Sequence, residues 1–191
     1  MLMMLLMKKL ITKKMDKTTL KRIKLLHPAI KAEVFEAYKF VNNKLLGRGV
    51  RLRFAYTLRS FAEQNELFAI GRTKLWDKNG NRLGKITNAK GGQSYHNYGL
   101  AFDIVLLLDK DRDGNFEEAS WNTVADFDGD GIADWMEVIN YFKNIGYTWG
   151  GDWKNFVDKP HLQKTFGYNW RDLLEKYNNK DFINETNYVT L

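Results

Sequence analysis

The chain of 191 residues contains no cysteine, only two prolines and only three histidines. Without cysteine there can be no disulfide framework, no thiolate zinc finger and no cysteine nucleophile. Any imidazole metal site must therefore use His27, His96 or His161. No apolar stretch approaches the roughly 20 residues needed to span a bilayer, so the sequence predicts no transmembrane segment.

The remaining composition is that of a folded domain. Hydrophobic residues make up 44% of the chain and aromatic residues 14%, which is enough for a core and argues against intrinsic disorder. The length fits one domain with insertions better than two domains. The formal net charge of +7 favours an anionic partner.

The first residues resemble an export signal only superficially. Residues 1–7 are apolar, but no positive segment precedes them and no small-residue cleavage site follows. We therefore expect no export signal, a disordered leader over residues 1–15, and one domain over residues 16–191.

Hydrophobic periodicity predicts an α+β fold, in which a small antiparallel sheet is flanked by helices. Alternating apolar and polar residues predict a strand from Val50 to Leu58, and an apolar run predicts a central strand over residues 101–108. Helical spacing and capping residues predict helices over residues 18–26, 29–46, 60–71, 133–145 and 171–177.

Two stretches of the chain favour a metal site. His96 lies in a glycine-containing turn, and Asp103 is a charged side chain in the apolar central strand, where an unpaired charge would be costly. With His161 they supply three ligands and leave a fourth position open, as in a catalytic zinc site, and Asp158 would lie beside that position. The alternative is that both histidines are ordinary half-buried side chains and that Asp103 pairs with an arginine.

These stretches resemble the M15 metallopeptidases, which include D-Ala-D-Ala carboxypeptidases, dipeptidases and phage L-alanyl-D-glutamate endopeptidases. The resemblance rests on Ser94-x-His96-x6-Asp103 and on Asp158-x-x-His161. Asp158 stands where carboxypeptidase and dipeptidase members commonly have glutamate, and this is similar to the endopeptidase branch. Further segments that resemble this branch are residues 59–64, 71–73, 87–93 and 149–153.

The resemblance implies a role for each of these residues. It implies a zinc ion bound by His96, Asp103 and His161. It also implies that Asp158 is the general base and that Arg59 polarises the substrate carbonyl. We further expect Ser94 and Gln64 to bind substrate. The alternative for Ser94 is that it supports one of the metal ligands.

Residues 109–137 are strongly acidic, with ten acidic and only two basic side chains. A block of this kind is either a solvated surface or a cation site. From residue 126 onward its spacing matches an EF-hand loop, including a glycine at position 6, and this favours calcium. The predicted calcium ligands are Asp126, Asp128, Asp130, Ile132, Asp134 and Glu137. A second stretch, from Asp109, begins in the same way but has Ser120 at position 12, and whether it binds a cation stays open.

The expected function is that of a zinc-dependent peptidoglycan hydrolase, similar to an endolysin, that cleaves the L-Ala–D-Glu bond of stem peptides. The alternatives are a D-Ala-D-Ala carboxypeptidase of the same family and a catalytically inactive, metal-stabilised wall-binding module. A structural zinc would require neither Asp158 nor Arg59, so these residues argue against the inactive module. We expect a monomer that binds no nucleic acid, is made in the cytoplasm and acts at the cell wall or in the periplasm after release.

Overall fold

A computed structural model describes residues 15–191 of the chain. The predicted leader lies outside the described residues, apart from Met15. Helices and a small antiparallel sheet form a single domain, which confirms the predicted α+β class. None of the helices in residues 15–191 has the length and apolar character needed to cross a bilayer.

The sheet is built around its longest strand. Strand β2 (Ala101–Leu108) pairs along one edge with β1 (Val50–Tyr56). Its other edge pairs with two short strands, β3 (Glu118–Ser120) at the end of β2 and β5 (His161–Gln163) at its start. Strand β4 (Thr148–Trp149) extends the sheet beyond β5, and every pairing is antiparallel. The first residues of β2 therefore lie between β1 and β5, and the candidate metal ligands lie at this end of the strand.

Five α-helices accompany this sheet in the described part of the chain. They are α1 (Lys17–Ile23), α2 (Pro28–Phe40), α3 (Phe61–Ala69), α4 (Asp134–Asn144) and α5 (Trp170–Asn178). Asp16 caps α1 by accepting a hydrogen bond from the backbone of Thr19, and Ser60 forms the predicted capping box with Glu63 at the start of α3.

The predicted helix over residues 29–46 is confirmed in extent, but its last turn is of a different type. The α-helix stops at Phe40 and continues as a π-helical turn, Val41–Leu45. Within this turn Asn42 is buried, and its side-chain oxygen accepts a hydrogen bond of 3.2 Å from the backbone of Leu52 in β1. The extra residue in the turn brings this polar side chain onto the sheet.

The core lies between the sheet and the helices α2 and α4. Alternate residues of β1 are buried, and β2 is buried on both faces, as the sequence predicted. Phe54 and Phe102 stack with ring centroids 4.5 Å apart, and Phe142 of α4 packs against both rings. This aromatic cluster fixes β1 and β2 relative to each other just beyond the candidate site.

Candidate metal centre and its cleft

His96, Asp103 and His161, which we call the metal triad, meet at the start of β2. The distance from His96 Nε2 to Asp103 Oδ1 is 3.1 Å, that from His96 Nε2 to His161 Nδ1 is 3.1 Å, and that from His161 Nδ1 to Asp103 Oδ1 is 3.3 Å. Three donor atoms thus form a nearly equilateral triangle. Ligands about 2.0 Å from a tetrahedral ion are separated by about 3.3 Å, so the triangle has the size of one face of a tetrahedral zinc site.

Each member of the triad is placed by a different element. His96 lies in a short 3-10 helix, Tyr95–Tyr98, which ends at Gly99 in the left-handed conformation. Asp103 and His161 face each other across the β2–β5 pair in register. Both histidines are almost fully buried, whereas 20% of the Asp103 side chain is exposed. The third histidine, His27, caps α2 and bonds to the carbonyl of Val189, away from this site.

The ring nitrogens that do not face the triangle have partners of their own. His96 Nδ1 lies 2.6 Å from the carbonyl oxygen of Thr57, and His161 Nε2 lies 2.9 Å from Gln163 Oε1. A proton on each of these nitrogens would leave His96 Nε2 and His161 Nδ1 with their lone pairs directed at the centre of the triad. Such partners fix the ring orientation of metal-binding histidines.

The triad also shifts the acidity of its own members. Burial by itself would raise the pKa of Asp103, but the neighbouring charges and hydrogen bonds of His96 and His161 hold it well below its usual range. Burial would lower the pKa of His161, but the hydrogen bond and the charge of Asp103 raise it. Without a metal, the Asp103 carboxylate is therefore paired with the His161 imidazole.

Arg59 lies beside the triad and is held in place by its neighbours. Its Nη2 is 3.7 Å from Asp103 Oδ2, its Nη1 donates a hydrogen bond of 2.9 Å to Gln64 Oε1, and its guanidinium lies 4.6 Å from the ring centre of Tyr56. Gln64 is buried and donates in turn to the carbonyl oxygen of Ala89 at 2.8 Å. The amide of Gln64 therefore ties the arginine to Ala89 in the loop that also lines the cleft.

Asp158 lies in the same cleft, on the loop that leads into β5. No residue from 15 to 191 hydrogen-bonds to its carboxylate, so the group is free to act on a ligand. Burial and the negative charge of Asp103 raise its pKa, although the neighbouring histidines and Arg59 act in the opposite direction. Its backbone packs so closely on Gly150 that a Cβ there would lie 2.4 Å from the Asp158 carbonyl oxygen, so glycine is needed at position 150.

The triad forms the floor of a cleft of about 540 Å³. Its walls include Ser94, Trp153 and Phe156, together with residues 86–89 from the loop before the 3-10 helix. Ser94 accepts a weak hydrogen bond from the backbone of His96 at 3.4 Å, so it caps the turn that carries a triad member while it lines the cleft. An extended peptide could therefore approach the triad, Arg59 and Asp158 together.

Comparisons with known proteins agree with this arrangement. The model of an M15 peptidase family, described as D-alanyl-D-alanine carboxypeptidase, matches residues 87–164. The peptidoglycan L-alanyl-D-glutamate endopeptidase CwlK of Bacillus subtilis (strain 168) is 41% identical over 138 residues, which is 72% of this chain and 72% of that protein. The chain is a peptidase of the M15 family.

Two further proteins are similar to this M15 peptidase. The L-alanyl-D-glutamate peptidase of Listeria phage A118 is 35% identical over 77 residues, which cover 40% of this chain and 23% of that protein. The crystal structure of the Serratia marcescens L-Ala D-Glu endopeptidase ChiX has a TM-score of 0.53 at 18% identity, over 83% of this chain and 95% of that one. The second similarity confirms the fold.

The matched segment of the M15 peptidase contains the whole triad and Asp158, while Arg59 and Gln64 precede it. The geometry brings all of the residues predicted for catalysis and zinc binding together at one cleft. Gln64, predicted to bind substrate, is 1% exposed and directs its amide at Arg59, Thr87 and Ala89, and its substrate role stays a prediction. Ser94 lines the cleft, as a substrate-binding residue would.

Two features of the site were missed in the sequence. Gln163 has a detectable signal, because residues two apart in a strand share a face and His161 and Gln163 are two apart. The carbonyl of Thr57 has no signal, since every residue has a carbonyl and only the tertiary fold directs this one at His96.

The residues predicted to bind calcium lie in one loop over residues 126–137, which we call the acidic loop. Carboxylate oxygens of Asp126, Asp128 and Asp130 lie within 4.8 Å of one another, as do those of Asp128, Asp134 and Glu137. Ile132 lies between these two groups with an exposed side chain. Asp134 is fully buried at the start of α4, and its Oδ1 has no hydrogen-bond partner among residues 15–191.

Proposed function

We propose that this M15 peptidase is a zinc-dependent endopeptidase that cleaves the L-Ala–D-Glu bond of peptidoglycan stem peptides. The observation that carries the proposal is the open triad at the floor of a cleft that also holds Arg59 and a free Asp158. The Bacillus subtilis and Listeria phage A118 relatives are named for cleavage between L-alanine and D-glutamate, and this similarity supports the choice of bond. The proposal includes action at the cell wall on a stem peptide, as a monomer.

Zinc fits the triad because two imidazole nitrogens and one carboxylate oxygen form a face of tetrahedral size. A zinc ion bound there would polarise the scissile carbonyl and make a water molecule more acidic. The remaining steps fall to side chains of the chain itself.

Asp158 is proposed as the general base and later the general acid. Its pKa is raised by burial and by the charge of Asp103, which makes its carboxylate a better proton acceptor than an exposed aspartate. It would take the proton of the attacking water and pass it to the leaving amine. Its backbone contact with Gly150 keeps it on the cleft wall during both transfers.

Arg59 is proposed to stabilise the negative charge that develops on the carbonyl oxygen. Its Nη1 is held by Gln64, whereas its Nη2 lies 3.7 Å from Asp103 Oδ2, beyond hydrogen-bond distance, so Nη2 retains donor capacity for the substrate. In this proposal Gln64 positions the arginine, and Ser94 contributes to the cleft that binds the peptide.

The test is mass spectrometry of muropeptides after digestion of purified peptidoglycan by the zinc-loaded full chain. Cleavage of the proposed bond creates a free amino group on D-Glu. Release of D-Ala would instead show that the chain is a D-Ala-D-Ala carboxypeptidase, which is the activity named in the description of the matching family model. The absence of any product from a chain that retains zinc and binds peptidoglycan would favour the inactive wall-binding module and overturn the proposal.

We further propose that the acidic loop binds calcium. Support comes from Asp134, a fully buried carboxylate with an unpartnered oxygen, and from Glu137, whose Oε2 also lacks a partner among residues 15–191. Burial and the surrounding carboxylates raise the pKa of Asp134 to about 6 and that of Glu137 to about 7. A divalent cation would remove this repulsion, and an EF-hand-like loop supplies the oxygen ligands that calcium prefers.

A further inference from the structure

The acidic stretch of the chain contains a second loop, residues 109–117, to which the proposed function assigns no role. It follows β2 directly and leads into β3. Carboxylate oxygens of Asp109, Asp111 and Asp113 lie within 4.8 Å of one another. Such a cluster is common on protein surfaces, so it needs independent support before it can be considered a cation site.

That support comes from Asp109. Its residue surface is only 8% exposed, whereas Asp111 and Asp113 are exposed. Its Oδ2 accepts a hydrogen bond of 3.0 Å from the backbone of Gly114, but its Oδ1 has no hydrogen-bond partner among residues 15–191. A buried carboxylate oxygen without a partner is costly, and the two exposed carboxylates beside it can supply only further negative charge. The charge of Arg51 acts on Asp109, but no side chain among residues 15–191 forms a hydrogen bond with Asp109 Oδ1, so a bound cation would be its direct partner.

The backbone of the 109–117 loop also repeats that of the acidic loop at three equivalent positions. In the first, the amides of Gly114, Asp113 and Asn115 donate to Asp109, Asp111 and Asp113 respectively. In the second, the amides of Gly131, Asp130 and Ile132 donate to Asp126, Asp128 and Asp130. The glycine at position 6 has a φ of 97° in one loop and 94° in the other. The two loops therefore curl their first carboxylates in the same way.

We propose that Asp109, Asp111 and Asp113 bind a second calcium ion, with the backbone carbonyl of Asn115 and the side chain of Glu117 in the places of EF-hand positions 7 and 9. The site is weaker than the acidic loop, because Ser120 takes the place of the bidentate glutamate at position 12. Glu118 does not replace it, since its carboxylate pairs with Lys110 at 2.6 Å. We expect an affinity in the range of weak extracellular sites, about 10⁻⁴ to 10⁻³ M.

Both loops contact the turn that precedes β1. The backbone of Asp109 donates a hydrogen bond of 2.9 Å to the carbonyl of Gly49, and the backbone of Gly47 donates to the Asp128 carboxylate. Cations in the two loops would therefore both stabilise the turn before β1, each through one of these hydrogen bonds. This inference does not depend on the peptidase activity or on the bond that is cleaved.

The test is a calcium titration of the zinc-loaded full chain followed by amide NMR. The backbone amides of Gly114 and Gly131 each donate to a carboxylate of one loop, so their resonances report the two sites separately. We expect the Gly131 resonance to saturate first and the Gly114 resonance to saturate by about 10 mM calcium.

Variants separate the two sites. Asp113→Asn removes one charge at an exposed position but keeps an acceptor for the Asn115 amide. It should raise the calcium concentration at the midpoint of the Gly114 transition at least about tenfold and leave that of the Gly131 transition unchanged. Glu137→Gln should do the reverse. Asp77→Asn is the matched control, because Asp77 accepts the same kind of backbone hydrogen bonds from Asn79 and Asn81 in a turn outside both loops.

A Gly114 resonance that does not saturate, or a Gly114 transition that Asp113→Asn leaves unchanged, would overturn the second site. A Gly131 resonance that fails to respond while Gly114 saturates would instead contradict the proposed calcium site in the acidic loop and leave the second site standing. Neither result bears on the muropeptide products, so failure of the endopeptidase proposal remains a separate outcome.

Discussion

The metal triad and the acidic loop present metal-binding atoms in opposite ways. In the triad, a 3-10 helix and two paired strands direct three side chains at one point, and both imidazoles are oriented by a partner on the other ring nitrogen. In the acidic loop, several carboxylates crowd together with no basic side chain among residues 126–137. The triad carries its own counter-charges, whereas the acidic loop does not.

This difference predicts different responses to metal removal. The pKa of Asp103 is lowered by its histidine neighbours, so the triad stays internally paired without a metal. The pKa values of Asp134 and Glu137 are raised to about 6 and about 7, so the acidic loop is strained by repulsion unless protons or a cation are bound. The triad is thus preorganised by the fold, whereas the proposed calcium ion would be needed to relieve the repulsion in the acidic loop.

The largest expected effect comes from breaking the triad. Asp103→Asn and His161→Ala should each lose stoichiometric zinc and reduce peptidoglycan cleavage to background, because two ligands cannot close a tetrahedral site. Metal analysis and digestion assays would measure both effects, and circular dichroism would confirm that the sheet is retained. A variant that keeps a full equivalent of zinc would remove its residue from the ligand set.

The next effect concerns Arg59. Arg59→Lys keeps the charge but loses the planar fork, and we expect turnover to fall about 10²-fold with little change in KM. Arg72→Lys is the matched control, because Arg72 also stacks on an aromatic ring, that of Phe68. Unchanged turnover with a raised KM would identify Arg59 as a substrate anchor instead.

A smaller effect is expected at Gln64. Gln64→Met fills a similar volume but removes the hydrogen bonds to Arg59 and Ala89, and turnover should fall about tenfold through the loosened arginine. If Gln64 acts only through Arg59, the double variant with Arg59→Lys should be no slower than Arg59→Lys alone. Additive losses, or a loss confined to KM, would support the direct substrate contact predicted from the sequence.

The smallest effect is a pH-dependent difference in stability at the acidic loop. The pKa of Glu137 is raised to about 7 in the folded chain, from an ordinary value near 4.5, so the calcium-free protein should lose stability as pH rises from about 4.5 to 7. Calcium should restore stability above pH 7 and have less effect at pH 5, where protons compete with it. Melting temperatures with calcium and with a chelator would measure the difference, and an equal calcium effect at both pH values would contradict this account.

The sequence predicted best those features that depend on local pattern. The alternation of β1 and the capping box at Ser60 follow from neighbouring residues, and the structure confirms both. The triad was predicted mainly from the resemblance to the M15 metallopeptidases, and the scarcity of histidine helped because only His27 competed with His96 and His161.

Features that depend on tertiary contacts were not predictable. The strands β3 and β4 have three and two residues and exist only because β2 and β5 offer edges for pairing. The π-helical turn after Phe40 depends on the contact of Asn42 with Leu52 in β1, which periodicity does not reveal. The burial and hydrogen bonds of Gln64 were unpredictable for the same reason, since its partners Thr87 and Ala89 lie more than twenty residues along the chain.

The most direct test of the central claim is the zinc content and turnover of Asp158→Asn. The account separates metal binding by the triad from proton transfer by Asp158, whose backbone is held by Gly150 but whose carboxylate accepts no hydrogen bond from residues 15–191. We therefore predict one equivalent of zinc per chain and a turnover at least about 10²-fold below that of the unsubstituted chain. Loss of zinc would make Asp158 a ligand, and unchanged turnover would place the general base elsewhere; either result would contradict the account.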